Sequence, residues 1–156
     1  MITCITYISI GETGELVYRK ESFLKRIEKL REYRHDLKQM SGISFEEYIK
    51  DRKIKYSIER LLFLISENIL DFFDHILSSQ FEIISESYED IIDNAYKKDL
   101  INASLYSNLK GLGGFRNILA HEYLDISDEE VFRNFRKTLG MIDNLIEAFE
   151  NIIKEF

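Results

Sequence analysis

The absence of proline constrains this chain more than any other feature of its sequence. Proline interrupts helices, because it lacks a backbone N–H and its ring clashes with the preceding turn. The 156 residues contain no proline, and four of the seven glycines fall between positions 111 and 140. Most of the chain therefore has nothing to interrupt long helices, and we expect an all-α fold.

The apolar residues recur at steps of three and four positions, which is the spacing of one helix face. This period predicts a first helix from residue 21 to about 40 and a long second helix that starts at Ser44 and ends near Ser78. Further starts are predicted at Ser87, at Asn102 or Ser104, and within residues 125–130. Together they predict an antiparallel up-and-down bundle of about five helices.

The first twenty residues have a different pattern. Residues 2–10 are rich in β-branched side chains, residues 11–14 contain two glycines typical of a turn, and residues 16–18 are again suited to a strand. We therefore predict a short N-terminal β-hairpin within residues 1–20, followed by one helical bundle domain over residues 21–156.

Charge and composition exclude several classes of protein. The formal net charge of −7 argues against a protein that coats nucleic acid, although a nuclease needs positive charge only where it touches a phosphate. No apolar run or basic leader predicts a membrane span or a signal peptide, so we expect a cytoplasmic protein with no membrane partner. Neither a metal-ligand spacing nor a phosphate-binding glycine loop is found, so no metal and no cofactor are predicted.

Polar chemistry is concentrated in residues 114–123, which read Gly-Phe-Arg-Asn-Ile-Leu-Ala-His-Glu-Tyr. Arg116 supplies a fixed cation, His121 a proton carrier and Tyr123 a phenol, a combination that suits work on a phosphate. Three glycines at positions 111, 113 and 114 precede the arginine. Because glycine costs about 1 kcal/mol inside a helix, they predict a close approach of another backbone or a local break.

Helix geometry limits how Arg116 and His121 can cooperate. Five residues turn a helix by about 500° and climb about 7.5 Å, so the two side chains do not share a face. They converge only if the backbone breaks, if the long arginine wraps round, or if two copies meet at a two-fold axis. In such a dimer, one imidazole would take the proton of a ribose 2′-hydroxyl, the other would protonate the leaving 5′-oxygen, and the arginines would stabilise the phosphorane without a metal.

The segment from Arg116 to Tyr123 resembles the Arg-x-x-x-x-His-x-Tyr signature of HEPN domains. It is most similar to the HepT toxins that are paired with minimal nucleotidyltransferase (MNT) antitoxins. The likeness covers roughly residues 21–155 and includes the segments 56–60, 68–71, 87–90 and 125–131. It implies the toxin of a type VII-like toxin–antitoxin pair, a homodimeric and metal-independent endoribonuclease whose two motifs line a shared cleft.

The resemblance also implies a role for each residue of the motif. Arg116 would bind and polarise the RNA phosphate, His121 would act as general acid or base, and Asn117 would orient one of them. Tyr123 would accept AMP from ATP through the partner nucleotidyltransferase. The chain departs from the family in its N-terminal hairpin and in the absence of the usual proline before Ser87.

Other interpretations of the same residues remain open. Arg116 could be the ion-pair partner of Glu122 or Asp125, and Tyr123 could be a core tyrosine that caps a helix. The whole bundle could be a non-catalytic binding module for a nucleotidyltransferase, or an acceptor of modification that has lost nuclease activity.

Overall fold

The computed structural model describes residues 12–121 and 126–156, with side chains from residue 20 onward. These residues form seven helices and no strand. The helices are α1 (Glu12–Gln39), α2 (Phe45–Lys50), α3 (Arg52–Phe81), α4 (Tyr88–Lys97), α5 (Ala103–Leu109), α6 (Leu112–His121) and α7 (Asp128–Glu155). The predicted all-α bundle is confirmed.

Most helix starts lie where the sequence predicts them, because side-chain caps define them locally. At each start a side-chain oxygen accepts a backbone N–H three residues further on, at distances from 2.8 to 3.3 Å. The capping residues are Ser44, Ser87, Asn102 and Ser127. Each cap satisfies a backbone donor that would otherwise lack a helical partner.

Two predicted helices are each divided in two, which is why seven helices replace about five. Asp51 is extended (φ −103°, ψ 107°), and its carboxylate accepts the N–H groups of Lys53 and Ile54, so a new helix begins directly after α2. The second division lies at residues 110–111, where Gly111 has a φ of +84° in the left-handed region. The local break predicted from the glycines is confirmed at this position.

The predicted N-terminal hairpin is wrong over its second half. Helix α1 begins at Glu12 and runs without interruption through the predicted turn and through residues 16–18. An existing helix gains one hydrogen bond for each residue it adds, whereas an isolated two-stranded hairpin is marginal in water. The predicted first strand, residues 2–10, lies outside the described residues.

The core lies where α1, α3 and α7 meet. Phe72 of α3 stacks on Phe149 of α7 with ring centres 3.7 Å apart, and Phe73 contacts the same ring edge-on at 5.2 Å. All three phenylalanines are fully buried. Across the described residues, no helix combines the length and apolar character needed to span a membrane.

Helix α6 packs against α3 and α4, and a small residue lies at its contact with α4. Gly113 is buried, and a Cβ built there would lie 2.4 Å from the Cβ of Tyr88 on α4. A close approach is thus found at Gly113, although the neighbouring atom is the side-chain Cβ of Tyr88 and not the predicted backbone, while nothing lies within 4 Å of a Cβ at Gly114. This contact lets α6 lie close against α4, and separate contacts pack α6 against the long helix α3.

Candidate active site

Arg116 and His121 border one cleft beside α6 and α3, although they lie on different faces of α6. The cleft has a volume of about 520 Å³. Helix α6 is continuous from Leu112 to His121, so a backbone break between the two residues is excluded. The cleft is also lined by Tyr56, Glu59, Arg60 and Phe63 of α3 and by Leu119 and Ala120 of α6.

The guanidinium of Arg116 is held on several sides. Its Nε donates a hydrogen bond to the Glu67 carboxylate, and its Nη1 donates to Oδ1 of Asn117 at 3.1 Å. The Arg116 Cζ lies 5.3 Å from the ring centres of both Phe63 and Tyr88, which is within the range of cation–π attraction. Only 16% of the arginine side chain is exposed. The cation is therefore oriented before any substrate arrives.

Glu67 is a site residue that the sequence reasoning missed. It lies 49 positions from Arg116, so no local motif connects the two residues. One signal was available, because Glu67 interrupts the apolar stripe of α3 between Phe63 and Leu70. A carboxylate on a helix face that is partly buried favours a charged or hydrogen-bonding partner. The alternative partners of Arg116, Glu122 and Asp125, lie outside the described residues.

The other motif residues that the structure describes, Asn117 and His121, are more exposed than Arg116. His121 is the last residue of α6 and is exposed to solvent. Asn117 is also exposed, and the hydrogen bond that it accepts comes from Arg116. Tyr123 lies outside the described residues.

Glu59 is a half-buried carboxylate in the wall of the cleft. Burial raises the pKa of Glu59, and the Tyr48 hydroxyl donates to its Oε1 at 3.5 Å. Nearby, Lys55 forms an ion pair with Asp128 at the start of α7, at 2.6 Å. This network joins α2, α3 and α7 beside the cleft, and the sequence analysis did not predict it.

A carboxylate pair lies on α3 next to the held arginine. Asp71 follows Glu67 by one helical turn, and the protein atoms around it, together with the negative charge of Glu67, raise the pKa of Asp71 to about 6. Among the described residues, no three His, Cys, Asp or Glu side chains are grouped so that they could hold a metal ion.

Comparison with known proteins identifies the family. The model of the HepT-like ribonuclease family matches residues 23–152. The tRNA nuclease HepT of Aphanizomenon flos-aquae (strain 2012/KM1/D3) is 32% identical over 107 residues, which cover 69% of this chain and 73% of that protein.

Solved structures share the fold at lower identity. The tri-AMPylated HEPN toxin of Shewanella oneidensis, solved in complex with an MNT antitoxin, has a TM-score of 0.64 at 23% identity, over 85% of this chain and 93% of the toxin. The cytosolic protein YutE of Bacillus subtilis has a TM-score of 0.65 at 15% identity, over 95% and 94%. The family match extends over most of the helical bundle. The chain therefore belongs to the HepT-like ribonuclease family of HEPN proteins.

Proposed function

We propose that this protein is the toxin of a toxin–antitoxin pair and that it acts as a metal-independent endoribonuclease. The observation that carries the proposal is the placement of a pre-oriented Arg116 and an exposed His121 along one cleft. Membership of the HepT-like ribonuclease family supports a nuclease role. The tRNA nuclease HepT, at 32% identity, makes transfer RNA the first substrate to test.

In the proposed reaction the ribose 2′-oxygen attacks the adjacent phosphorus while the bond to the 5′-oxygen breaks. One His121 accepts the 2′-hydroxyl proton, and a second imidazole donates a proton to the leaving 5′-oxygen. The products are a 2′,3′-cyclic phosphate and a 5′-hydroxyl. Arg116 faces the nonbridging oxygens and stabilises the charge that develops on them in the transition state.

The second imidazole comes from a second copy of the chain. His121 is the only histidine among the residues that line the described cleft, whereas the reaction uses an acid and a base at once. Tyr56 in the cleft wall is 61% exposed, and Phe63 beside it is partly buried. A homodimer formed over this face would cover both rings and complete the site with a second Arg116 and His121.

Tyr123 is the proposed point of control. In this scheme a partner MNT nucleotidyltransferase transfers AMP from ATP to the tyrosine hydroxyl, and pyrophosphate leaves. The added phosphate carries negative charge two residues after His121, where it would repel and obstruct an RNA phosphate. The AMPylated Shewanella toxin in complex with its MNT antitoxin supports this part of the proposal.

The nuclease is tested by incubating purified protein with transfer RNA in EDTA. We expect cleavage that leaves 2′,3′-cyclic phosphate ends, and a loss of about a thousandfold in rate for His121→Ala. His35→Ala, which changes an exposed histidine of α1, is the matched control and should cleave at the normal rate. Full activity of His121→Ala would contradict the mechanism. Absence of cleavage by the unaltered protein would favour a non-catalytic module that binds a nucleotidyltransferase.

The proposed regulation by AMP transfer is tested separately, by measuring the intact mass of the protein. The protein is co-expressed with a candidate MNT nucleotidyltransferase, and we expect mass increments of AMP that are absent from Tyr123→Phe. A mass without increments would remove AMP transfer from the proposal whatever the result with RNA.

A further inference from the structure

Glu67 contacts the proposed catalytic arginine but takes no part in the reaction described above. We infer that Glu67 is a positioning residue: it holds the Nε edge of Arg116 so that the terminal nitrogens alone face the RNA phosphate. This inference rests on the proposed nuclease function and adds a residue to it.

The hydrogen-bond donors of Arg116 show what remains for a substrate. A guanidinium has five N–H donors. The Nε donor is engaged by Glu67, and one donor of Nη1 is engaged by Asn117. A free arginine can receive a phosphate on the edge formed by Nε and one Nη. Because Glu67 occupies that edge, three N–H donors of the terminal nitrogens remain. A phosphate therefore meets the guanidinium at its terminal end.

The negative charge of Glu67 gives a second reason why its contact with Arg116 would assist the reaction. Glu67 offsets part of the positive charge of Arg116, so an RNA phosphate in the ground state is bound less tightly than by an unpaired arginine. The phosphorane of the transition state carries about one more negative charge. It gains more from the terminal donors than the ground state does, and such a difference in stabilisation raises kcat.

The surroundings favour a fixed orientation over a loose surface pair. The side chains of Arg116 and Glu67 are 16% and 31% exposed, and the rings of Phe63 and Tyr88 lie against the guanidinium. Enclosure of this kind reduces the number of rotamers that the arginine can adopt, which is the condition for a precise contact with a reacting group.

The first test measures the side chain of Arg116 directly and does not depend on nuclease activity. Proton exchange of the Nε–H group of Arg116 is measured by ¹H–¹⁵N NMR, with Arg116→Lys to assign the signal. We expect slow exchange in the unaltered protein and at least tenfold faster exchange in Glu67→Gln. Asp74→Asn, another half-buried acid of α3, is the matched control and should leave the signal unchanged. An unaltered Nε–H signal in Glu67→Gln would overturn the inference.

The second test separates positioning from simple stability. At a temperature where the variants are folded by circular dichroism, Glu67→Gln should lower kcat about tenfold to a hundredfold while KM stays the same or falls. A purely structural ion pair predicts a lower melting temperature with kcat unchanged, and that result would contradict positioning. If Glu67→Gln does not fold, Glu67→Asp is measured instead and should show the same changes to a smaller degree.

The two tests also distinguish the failure of this inference from the failure of the proposed function. If the unaltered protein does not cleave RNA, the nuclease proposal fails, while the NMR comparison still decides whether Glu67 orients Arg116. If the protein cleaves RNA and Glu67→Gln matches it in kcat, only the role of Glu67 is lost.

Discussion

Two arginine–glutamate contacts in this bundle have the same chemistry and different surroundings. Arg31 of α1 and Glu150 of α7 form a pair whose side chains are 47% and 38% exposed. Arg116 and Glu67 pair between α6 and α3 with less than a third of either side chain exposed. Water screens the first pair and leaves its side chains mobile, so such contacts contribute about 0–1 kcal/mol. The second pair is enclosed, and it therefore determines the direction of a guanidinium.

The same contrast holds between the two faces of α3. Towards α7 it is packed with stacked phenylalanines, which stabilise the fold. Towards α6 it contributes Glu67, which pairs with the enclosed cation of Arg116 and orients the motif. We therefore expect substitutions at the α3–α7 contact to reduce stability most, and substitutions beside α6 to act on stability and activity together.

Phe149→Ala should have the largest effect on stability. Its ring stacks on Phe72 and meets Phe73 edge-on, so truncation removes buried apolar surface and leaves a cavity. We expect the free energy of unfolding in urea to fall by about 3–5 kcal/mol. A loss below about 1 kcal/mol would show that the α3–α7 contact does not dominate the stability of the bundle.

Gly113→Ala should affect both stability and cleavage. The new methyl group would lie 2.4 Å from the Cβ of Tyr88, whose ring rests against Arg116, so α4 or α6 has to move. We expect a loss of about 1–3 kcal/mol in urea unfolding, together with slower RNA cleavage. Gly114→Ala is the control: its methyl group meets nothing within 4 Å, and it should stabilise the helix by about 0.5–1 kcal/mol. Equal effects of the two substitutions would contradict the close contact of α4 with α6.

Asp71→Asn should stabilise the protein at neutral pH. The folded-state pKa of about 6 lies above the usual value, so the folded protein binds more protons than the unfolded chain between about pH 4 and 6. Ionised Asp71 therefore lowers the free energy of unfolding as pH rises through this window. Because its side chain keeps access to water, we expect a gain of about 1 kcal/mol at pH 7 that disappears below about pH 4. Urea unfolding at both pH values measures it, and an equal gain at both would contradict the ionisation.

Asp143→Ala should have the smallest effect. Asp143 accepts hydrogen bonds from Lys38 at 2.8 Å and from Arg34 at 3.3 Å, and these contacts lower the pKa of Asp143. All three side chains are exposed enough to exchange partners with water. We expect a loss of about 0.5 kcal/mol or less in urea unfolding. A loss above about 1.5 kcal/mol would remove the contrast between the screened and the enclosed pairs.

Local chemistry explains which parts of the fold could be predicted. The starts at Ser44 and Ser87 were predictable, because a cap and the residue it binds lie three positions apart. The break after Lys50 was missed, because Asp51 acts as a cap inside a sequence whose apolar period continues. The start of α1 at Glu12 was missed as well, because the glycines and β-branched residues of this segment are typical of a hairpin.

The motif could be recognised from the sequence, whereas the surroundings of its arginine could not. The sequence by itself determined an all-α chain and the motif that marks its family, but it left open whether the backbone breaks between Arg116 and His121, which the continuous helix α6 excludes. Only the tertiary structure decided that Glu67, Phe63 and Tyr88 enclose the arginine. These contacts join residues on three different helices, and helix periodicity relates only neighbours within one helix. The direction of the guanidinium is therefore a property of how the helices pack.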